Sequence, residues 1–311
     1  MVFHSLDSLP SFKNPVLTIG SFDGVHHGHK AILNEVVHAA KMIDGESILI
    51  TFEPHPRKII NPTTALGLLM DPNQKTQLLL EQGIDHIIFV PFTRDFSMLS
   101  AQEYVNDFLI KNFNPSKIII GYDHKFGHSR EGDITLLKQL VGDSVTVVEI
   151  APQLIHHAAV SSTKIRKALL DGDLQEANQM LESNYTISGT VVRGDGIGKK
   201  FGFPTANVKS DYEDKLIPKI GVYAVWVHYN NQQWKGMLSI GVRPTINNLN
   251  VLSCEVNILD FDQDIYGQKI ELELLAYIRN ELKFDNLDAL ISKIQDDEVV
   301  IRAYFDALSS N

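Results

Sequence analysis

The sequence predicts an α/β domain followed by an antiparallel β domain closed into a barrel, and three observations carry that prediction. Over residues 15–182 or so, short β-branched runs alternate with stretches whose apolar residues recur three or four apart. From Tyr185 onward the helical period disappears, and strands follow one another between Gly, Asn, Asp and Pro turns. The 311 residues exceed what one ordinary domain needs, and 44% hydrophobic with 21% charged residues supplies apolar side chains for two cores. Disordered, collagen-like and low-complexity chains are excluded by the same composition. The change of period places the boundary near Ser183, giving domains 1–183 and 184–311 with no long linker and no internal repeat.

In the first half the strand candidates are Val16–Ile19, Ser47–Phe52, His86–Val90, Lys117–Ile120 and Val145–Ile150. Each is apolar enough to be covered on both faces, as strands of a parallel sheet are. Helical patterns fall between them at Lys30–Met42, Asn73–Gln82, Ala101–Asn112 and Ile134–Val141. The alternation reads as an open, doubly wound sheet, whose ligands sit beyond the carboxyl ends of the strands. Two helices, at about Thr163–Leu170 and Leu174–Leu181, close this half, and Ser161 or Ser162 caps the first. In the second half the candidates are Thr186–Val192, Gly221–His228, Gln233–Ile240, Ser253–Leu259 and Ile270–Ile278. Strands in succession without helices imply an antiparallel sheet. An amphipathic helix at about Leu287–Leu308 then covers one side.

The 28 Lys and Arg against 38 Asp and Glu give a formal charge of −10, whereas a polyanion binder carries a basic face to neutralise phosphates. No nucleic-acid partner is expected. No apolar run approaches the roughly 18–20 residues needed to span a bilayer. The opening Met1-Val2-Phe3-His4 lacks a basic segment followed by an apolar one. The chain is therefore expected in the cytoplasm without a membrane partner, and a homo-oligomer stays open. Cys254, the single cysteine, cannot form an internal disulfide, and a buried, inert thiol is expected there.

After the first strand, Gly20-Ser21-Phe22-Asp23-Gly24-Val25-His26-His27-Gly28-His29 leads straight into a helix. A strand, a glycine-bearing turn and a helix N-terminus make an anion site, because backbone N–H groups and the helix dipole face the turn. Gly20, Ser21, Phe22, Asp23, Gly24 and Gly28 are the phosphate candidates on this ground. His26 and His29 add imidazoles that donate to phosphate oxygens as negative charge builds on them. Two other readings compete: zinc ligation by His26, His27 and His29, which lacks further donors nearby, and a solvated turn with incidental histidines. Farther on, hydroxyls and cations at a helix start, Ser162, Thr163, Lys164 and Arg166, suit the outer phosphates of a triphosphate. The alternative is an ordinary capped helix with a basic surface.

In the β half, the stretch from Arg193 to Asn207 looks at first like a phosphate loop. It is not a Walker A motif: Arg193 stands where the first Gly belongs, Lys200 replaces Ser or Thr, and Pro204 obstructs a following helix. Nor does it fit Gly-x-Gly-x-x-Gly. What remains is a glycine loop, with Gly196, Gly198 and Lys199 able to approach phosphates, followed by Thr205 and Asn207, oxygen donors suited to Mg²⁺. Residues two apart on an extended segment point to the same side, so both could serve one ion. A Pro-Thr turn whose Asn satisfies local backbone is the competing reading. The acidic turn Asp262–Asp264 lacks the later bidentate Glu of a calcium loop and reads as a strand connection. Tyr223, Trp226 and Trp234 suit either ring stacking or barrel core.

Gly20–His29, Thr51-Phe52-Glu53-Pro54-His55-Pro56, Gly121-Tyr122-Asp123 with Phe126-Gly127, and Ser161–Arg166 resemble the adenylyltransferase half of the bacterial bifunctional riboflavin kinase/FAD synthetases. Gly198–Asn207, Ser239–Thr245, Cys254-Glu255-Val256, Phe261, Tyr266-Gly267 and Arg279 resemble the riboflavin kinase half, so that the likeness covers residues 14–306 or so. The resemblance implies a Rossmann-like nucleotidyltransferase domain followed by a Greek-key barrel. It implies that riboflavin and ATP give FMN at the barrel, and that FMN and ATP give FAD and pyrophosphate at the α/β domain. His26, Gly28 and His29 would then meet the ATP phosphates, with Ser162, Lys164 and Arg166 clamping from the other side. Asp123 and Pro54, His55, Pro56 and Arg57 would line the nucleotide and flavin region. In the barrel, Thr205 and Asn207 would hold Mg²⁺, Glu255 would act as base, and Arg243 and Arg279 would meet flavin. His27, His124 and Asn257 depart from common family residues, and Asn257 suggests no role of its own. Two further outcomes stay open: a flavin or nucleotide-binding regulator without turnover, and a chain retaining one of the two activities.

Overall fold

The computed structural model describes residues 1–63, 66–152, 154–155, 158–194, 202–244 and 250–309. Its contacts divide the chain into two compact units, Met1–Ser162 and Thr163–Asn311. The helices Ser162–Asp171 and Leu174–Leu181 thus fall almost wholly with the barrel, although the sequence period assigns them to the first half. The reason is specific bonding: the Asn178 amide donates to Leu274 O (3.1 Å) and accepts from Tyr185 N–H (2.9 Å), and Lys219 N–H donates to Leu169 O (3.0 Å).

The first unit is built on six parallel strands: β1 (Val2–Phe3), β2 (Val16–Ile19), β3 (Ser47–Glu53), β4 (His86–Pro91), β5 (Lys117–Gly121) and β6 (Thr146–Ile150). Their order is β1-β4-β3-β2-β5-β6. Side chains alternate between the faces. Leu17, Ile48, Ile50, Ile88 and Ile118 enter one core, while Val16, Leu49, Ile87 and Ile119 enter the other with Leu33 and Val36 of the helix His27–Met42. Both faces being buried is why these strands read as unbroken apolar runs. Each such side chain contributes about 1.5–3 kcal/mol by leaving water. The strand order reverses between β2 and β5, which opens a crevice at their carboxyl ends. The glycine-histidine loop follows β2 and so lies at that crevice.

The predicted helix at residues 101–112 is instead three pieces, Ala101–Glu103 α-helical, Tyr104–Ile110 π-helical and Lys111–Phe113 α-helical. A capping box between Ser100 and Glu103 starts it, and Asn114 in the left-handed region (φ 41°) ends it. A short antiparallel ribbon, β7 (Leu154–Ile155) with β8 (Ala158–Ala159), and the short helices Pro56–Ile60 and Arg94–Ser97 are among the elements that sequence patterning missed.

In the second unit, β9 (Tyr185–Val192), β10 (Ala206–Ser210), β11 (Gly221–Tyr229), β12 (Gln232–Pro244), β13 (Asn250–Ile258) and β14 (Lys269–Arg279) form a closed barrel. Its order is β10-β13-β12-β11-β14-β9. After the meander β11-β12-β13 the chain returns to lay β14 beside β11, which is a Greek key. The helix Leu287–Ser309 covers one side, with Ile301 and Phe305 packed on Val222, Ala224 and Met237. Tyr223 is fully buried and Trp226 lies 4.5 Å from the Phe305 ring, so both are core. Trp234 packs edge-on against Phe261 at 5.0 Å.

Candidate functional sites

Between β2 and the helix His27–Met42 the chain turns through left-handed backbone at Phe22 (φ 46°), Gly24 (φ 94°) and Val25 (φ 37°). A β-branched residue there is strained by about 1–3 kcal/mol, and such strain persists only where surroundings over-determine it. They do here. Phe22 and Val25 are buried, and the Asp23 carboxylate accepts N–H bonds from Leu69 (2.9 and 3.1 Å) and Met70 (3.2 Å). The Asp23 carbonyl accepts the Ser162 hydroxyl (2.8 Å). Asp23 therefore ties the loop down with its carboxylate, and only its main chain suits a phosphate.

His26 caps the helix, its Nδ1 accepting the His29 N–H at 3.3 Å. Its ring stacks on that of His29 at 3.6 Å, and Phe22 leans on the other side of His29 at 4.8 Å. Burial first, then the proximity of His26 and Lys75, hold the His29 imidazole well below its ordinary pKa. It is thus a neutral donor rather than a cation. Its Nδ1 is buried and has no hydrogen-bond partner among the described residues. A Cβ on Gly28 would meet the His26 ring at ordinary contact, 3.4 Å, and Val160 O at 3.9 Å.

Sequence reasoning missed Lys75. It lies on the buried face of the helix Pro72–Glu81, one turn before Leu79, and its Nζ donates to Thr51 Oγ1 (3.1 Å) and Ser21 O (3.3 Å). The available signal was a cation in register with an apolar stripe.

Beside the loop a cleft of about 640 Å³ opens, in the range of small-molecule sites. Gly20 and Ser21 form part of its wall, Phe52, Phe92, Phe96, Tyr104 and Phe126 make it aromatic, and Arg57, Arg94, Lys125 and Arg130 add cations. His55 and Pro56 line it as well. Pro54 and the exposed Asp123 are not among the lining residues. His124 is, and burial, with a smaller contribution from Arg130, pushes its pKa down to about 4. Its folded pKa lies below the unfolded value, so its stability contribution is complete above about pH 6.5 and is lost as pH falls toward 4, by about 1.4 kcal/mol per unit. His124→Phe is therefore expected to raise the thermal midpoint at pH 5 more than at pH 7.5, as followed by circular dichroism. Equal shifts at the two pH values would contradict a buried neutral imidazole.

Of the remaining predicted groups, Ser162 starts the helix Ser162–Asp171, on which Thr163 and Lys164 are exposed and Arg166 is buried.

In the barrel, strand pairing does what spacing alone could not. β10 and β13 run antiparallel with Asn207 directly opposite Glu255, and β12 sets Ser239 opposite Glu255 on its other side. Directly opposed residues share a face, so Asn207, Glu255 and Ser239 form one row. Cys254 and Val256 turn the other way into the barrel. The Cys254 thiol is buried and pushed up to about 12 by burial first and Glu255 second, hence inert as expected. Thr205, Asn207, Ser239, Glu255, Asn257 and Arg279 line one cavity of about 780 Å³. Ser239 went unnoticed in the sequence because only β-register reveals it. Asn257, for which the sequence suggested no role, donates to Pro204 O at 2.7 Å and pins the Pro204-Thr205 turn to β13. A second cavity, about 480 Å³, shares Thr205 and is bounded by Phe261, Tyr266 and the acidic connection Asp262–Asp264.

Arg279 donates through Nε (3.0 and 2.8 Å) and Nη2 (2.6 Å) to Asp297, which is nearly inaccessible and also meets Lys293 at 3.0 Å. A guanidinium so held is a fixed wall rather than a mobile clamp. Gly196, Gly198 and Lys199 lie outside the described residues, and of Arg243 only the backbone in β12 is described.

The FAD synthetase family matches residues 9–164 and the riboflavin kinase family residues 181–305. The bifunctional riboflavin kinase/FMN adenylyltransferase of Listeria monocytogenes is 38% identical over 296 residues, covering 95% of this chain and 94% of the relative. The chain belongs to the bifunctional riboflavin kinase/FMN adenylyltransferase family. The Escherichia coli K12 member is 36% identical over 306 residues, with 97% of this chain and 96% of that one covered. A solved structure titled a macrolide-efflux protein, from Streptococcus pneumoniae, superposes with a TM-score of 0.88 at 30% identity, over 97% of this chain and 98% of that one. Among the described residues of the present family member, no helix is long and apolar enough to cross a membrane.

Proposed function

We infer that the chain is an enzyme of two activities: it phosphorylates riboflavin to FMN with ATP, and it adenylylates FMN to FAD with release of pyrophosphate. The single observation that carries this is the match of both halves, in order, to the two component families. The kinase reaction belongs to the barrel, whose cavity gathers Glu255, Asn207, Thr205 and Ser239. Glu255 accepts the proton of the ribityl 5′-hydroxyl as its oxygen attacks the γ-phosphorus and ADP leaves. The residues present fit Mg²⁺: Thr205 and Asn207 offer hard oxygen donors, and a Cβ on Gly194 would lie 2.1 Å from the Asn207 amide, so glycine leaves room for that side chain. Mg²⁺ held there would offset phosphate charge.

Adenylyl transfer belongs to the α/β unit. The phosphate of FMN is already a nucleophile, so the unit has to align it with the α-phosphorus of ATP while pyrophosphate departs. The aromatic cleft suits the isoalloxazine, its cations suit the FMN phosphate, and the loop N–H groups, the helix N-terminus and neutral His29 suit the ATP phosphates. Ser162, Lys164 and Arg166 remain proposed for the outer phosphates. We assign the enzyme to the cytoplasm, with small molecules as its partners.

Incubation with riboflavin, ATP and Mg²⁺ followed by chromatography is expected to yield FMN and then FAD. Starting from FMN should yield FAD alone. Recovery of unchanged riboflavin would leave a binding protein, and arrest at FMN would leave a kinase alone.

A further inference from the structure

Lys75 carries a buried positive charge that no carboxylate among the described residues bonds directly. The residue is 8% exposed, and its ammonium bonds to two neutral oxygens, Thr51 Oγ1 and Ser21 O, with the Phe89 ring 5.0 Å away. Neither bond explains the charge. Ser21 O already accepts the Thr51 hydroxyl at 3.2 Å, so a cation is not needed to satisfy it. Asp23 and Glu53 are close enough to favour the charged form, yet neither makes an ion pair with Lys75, and the Asp23 carboxylate is taken by the Leu69 and Met70 N–H groups. Burial outweighs both and draws the ammonium down to about 8. A buried unpaired ion is among the costliest features a fold can keep.

Lys75 lies directly under the turn that leads to His29, whose buried Nδ1 has no partner among the described residues. A cation whose neighbouring carboxylates do not bond to it and a buried ring nitrogen without a bond among the described residues, both at one loop, suit the same thing: an anion. We propose that Lys75 is a positioning residue for FAD synthesis, fixing Ser21 beneath the phosphate loop and taking the polyphosphate chain of ATP as its counter-charge. This rests on the adenylyltransferase reading and deepens it. Lys75 then destabilises the empty enzyme and is compensated only when nucleotide binds, whereas a merely structural lysine stabilises the empty fold.

That opposition sets the test. Wild type must first convert FMN and ATP to FAD; failure there overturns the adenylyltransferase reading and is independent of Lys75. Given that activity, Lys75→Met is expected to raise KM for ATP in FAD formation by roughly tenfold or more, with kcat within about threefold and KM for FMN within about twofold. The thermal midpoint without ligand should stay level or rise, the shift induced by pyrophosphate should shrink, and Lys75→Arg should recover most of the ATP affinity. Riboflavin phosphorylation should be unchanged. A KM for ATP within about twofold of wild type overturns the proposal. So does a lower ligand-free midpoint with both substrates affected and no rescue by Arg. If Lys75→Met does not accumulate as folded protein, Lys75→Gln is judged by the same criteria.

Discussion

Replacing Glu255 by Gln is expected to lower kcat for riboflavin phosphorylation by about 10²–10⁴-fold, the range a positioned general base supplies. The amide keeps the shape of the carboxylate and the β13 pairing to Asn207 and Ser239, so the cavity should persist and KM for riboflavin should change little. What is lost is the acceptor for the hydroxyl proton at the moment the oxygen attacks. FAD formation from supplied FMN is the internal control, and it should remain within about twofold, because Glu255 belongs to the other compact unit. Separate assays started from riboflavin and from FMN read the two outcomes. Kinase activity surviving within about threefold would remove Glu255 as base, and equal loss of both activities would argue against two independent sites.

How far the fold was legible depended on whether its information was local. The central strands of the parallel sheet were readable because burial on both faces writes an unbroken apolar run into Ile48–Ile50 or Ile118–Ile120. β10 was not. Of its five residues only Val208 is a large apolar one, and it joins the barrel through backbone bonding to β9 and β13. β1, two residues long, carries no period at all. The π-helical stretch Tyr104–Ile110 defeats spacing for a different reason, since apolar residues three, four and five apart overlap in so short a segment. Closure of the barrel depends on β9 meeting both β10 and β14, a non-local fact invisible to any window of sequence.

The site divides along the same line. His26, Gly28 and His29 fall within four residues, and Thr205 with Asn207 share one short segment, so motif and spacing sufficed to make them candidates. Lys75 and Ser239 belong to their sites through contacts with residues distant in sequence, 54 positions from Ser21 in the case of Lys75. Asn257 could be dismissed as a departure until its bond to Pro204 O, across 53 positions, was visible. Asp23 shows the converse: its place in the loop was legible, but not that its carboxylate bonds to the backbone of Leu69 and Met70, 46 and 47 positions away.

Substitution of His29 by Ala is expected to lower FAD formation by about 10²–10³-fold, as removal of one donor to a developing oxyanion does, with riboflavin phosphorylation unaffected. The electrostatics distinguish how this residue works. An imidazolium at its ordinary pKa would lose its charge, and the enzyme its activity, as pH rises through about 6.5. Burial, His26 and Lys75 hold His29 neutral instead, so FAD formation should be level between about pH 6.5 and 7.5. The folded pKa being depressed, its stability contribution is complete above about pH 6.5 and declines on acidification, in the same direction as that of His124. His26→Ala should behave differently, because its Nδ1 caps the helix and its ring supports that of His29. Loss of the cap alone costs about 1 kcal/mol, so that variant should lower the thermal midpoint as well as the rate, whereas His29→Ala should lower the rate chiefly. A rate that instead falls steeply on passing from pH 6.5 to 7.5 in wild type and is pH-independent in His29→Ala would assign the proton to His29 and reject the neutral donor.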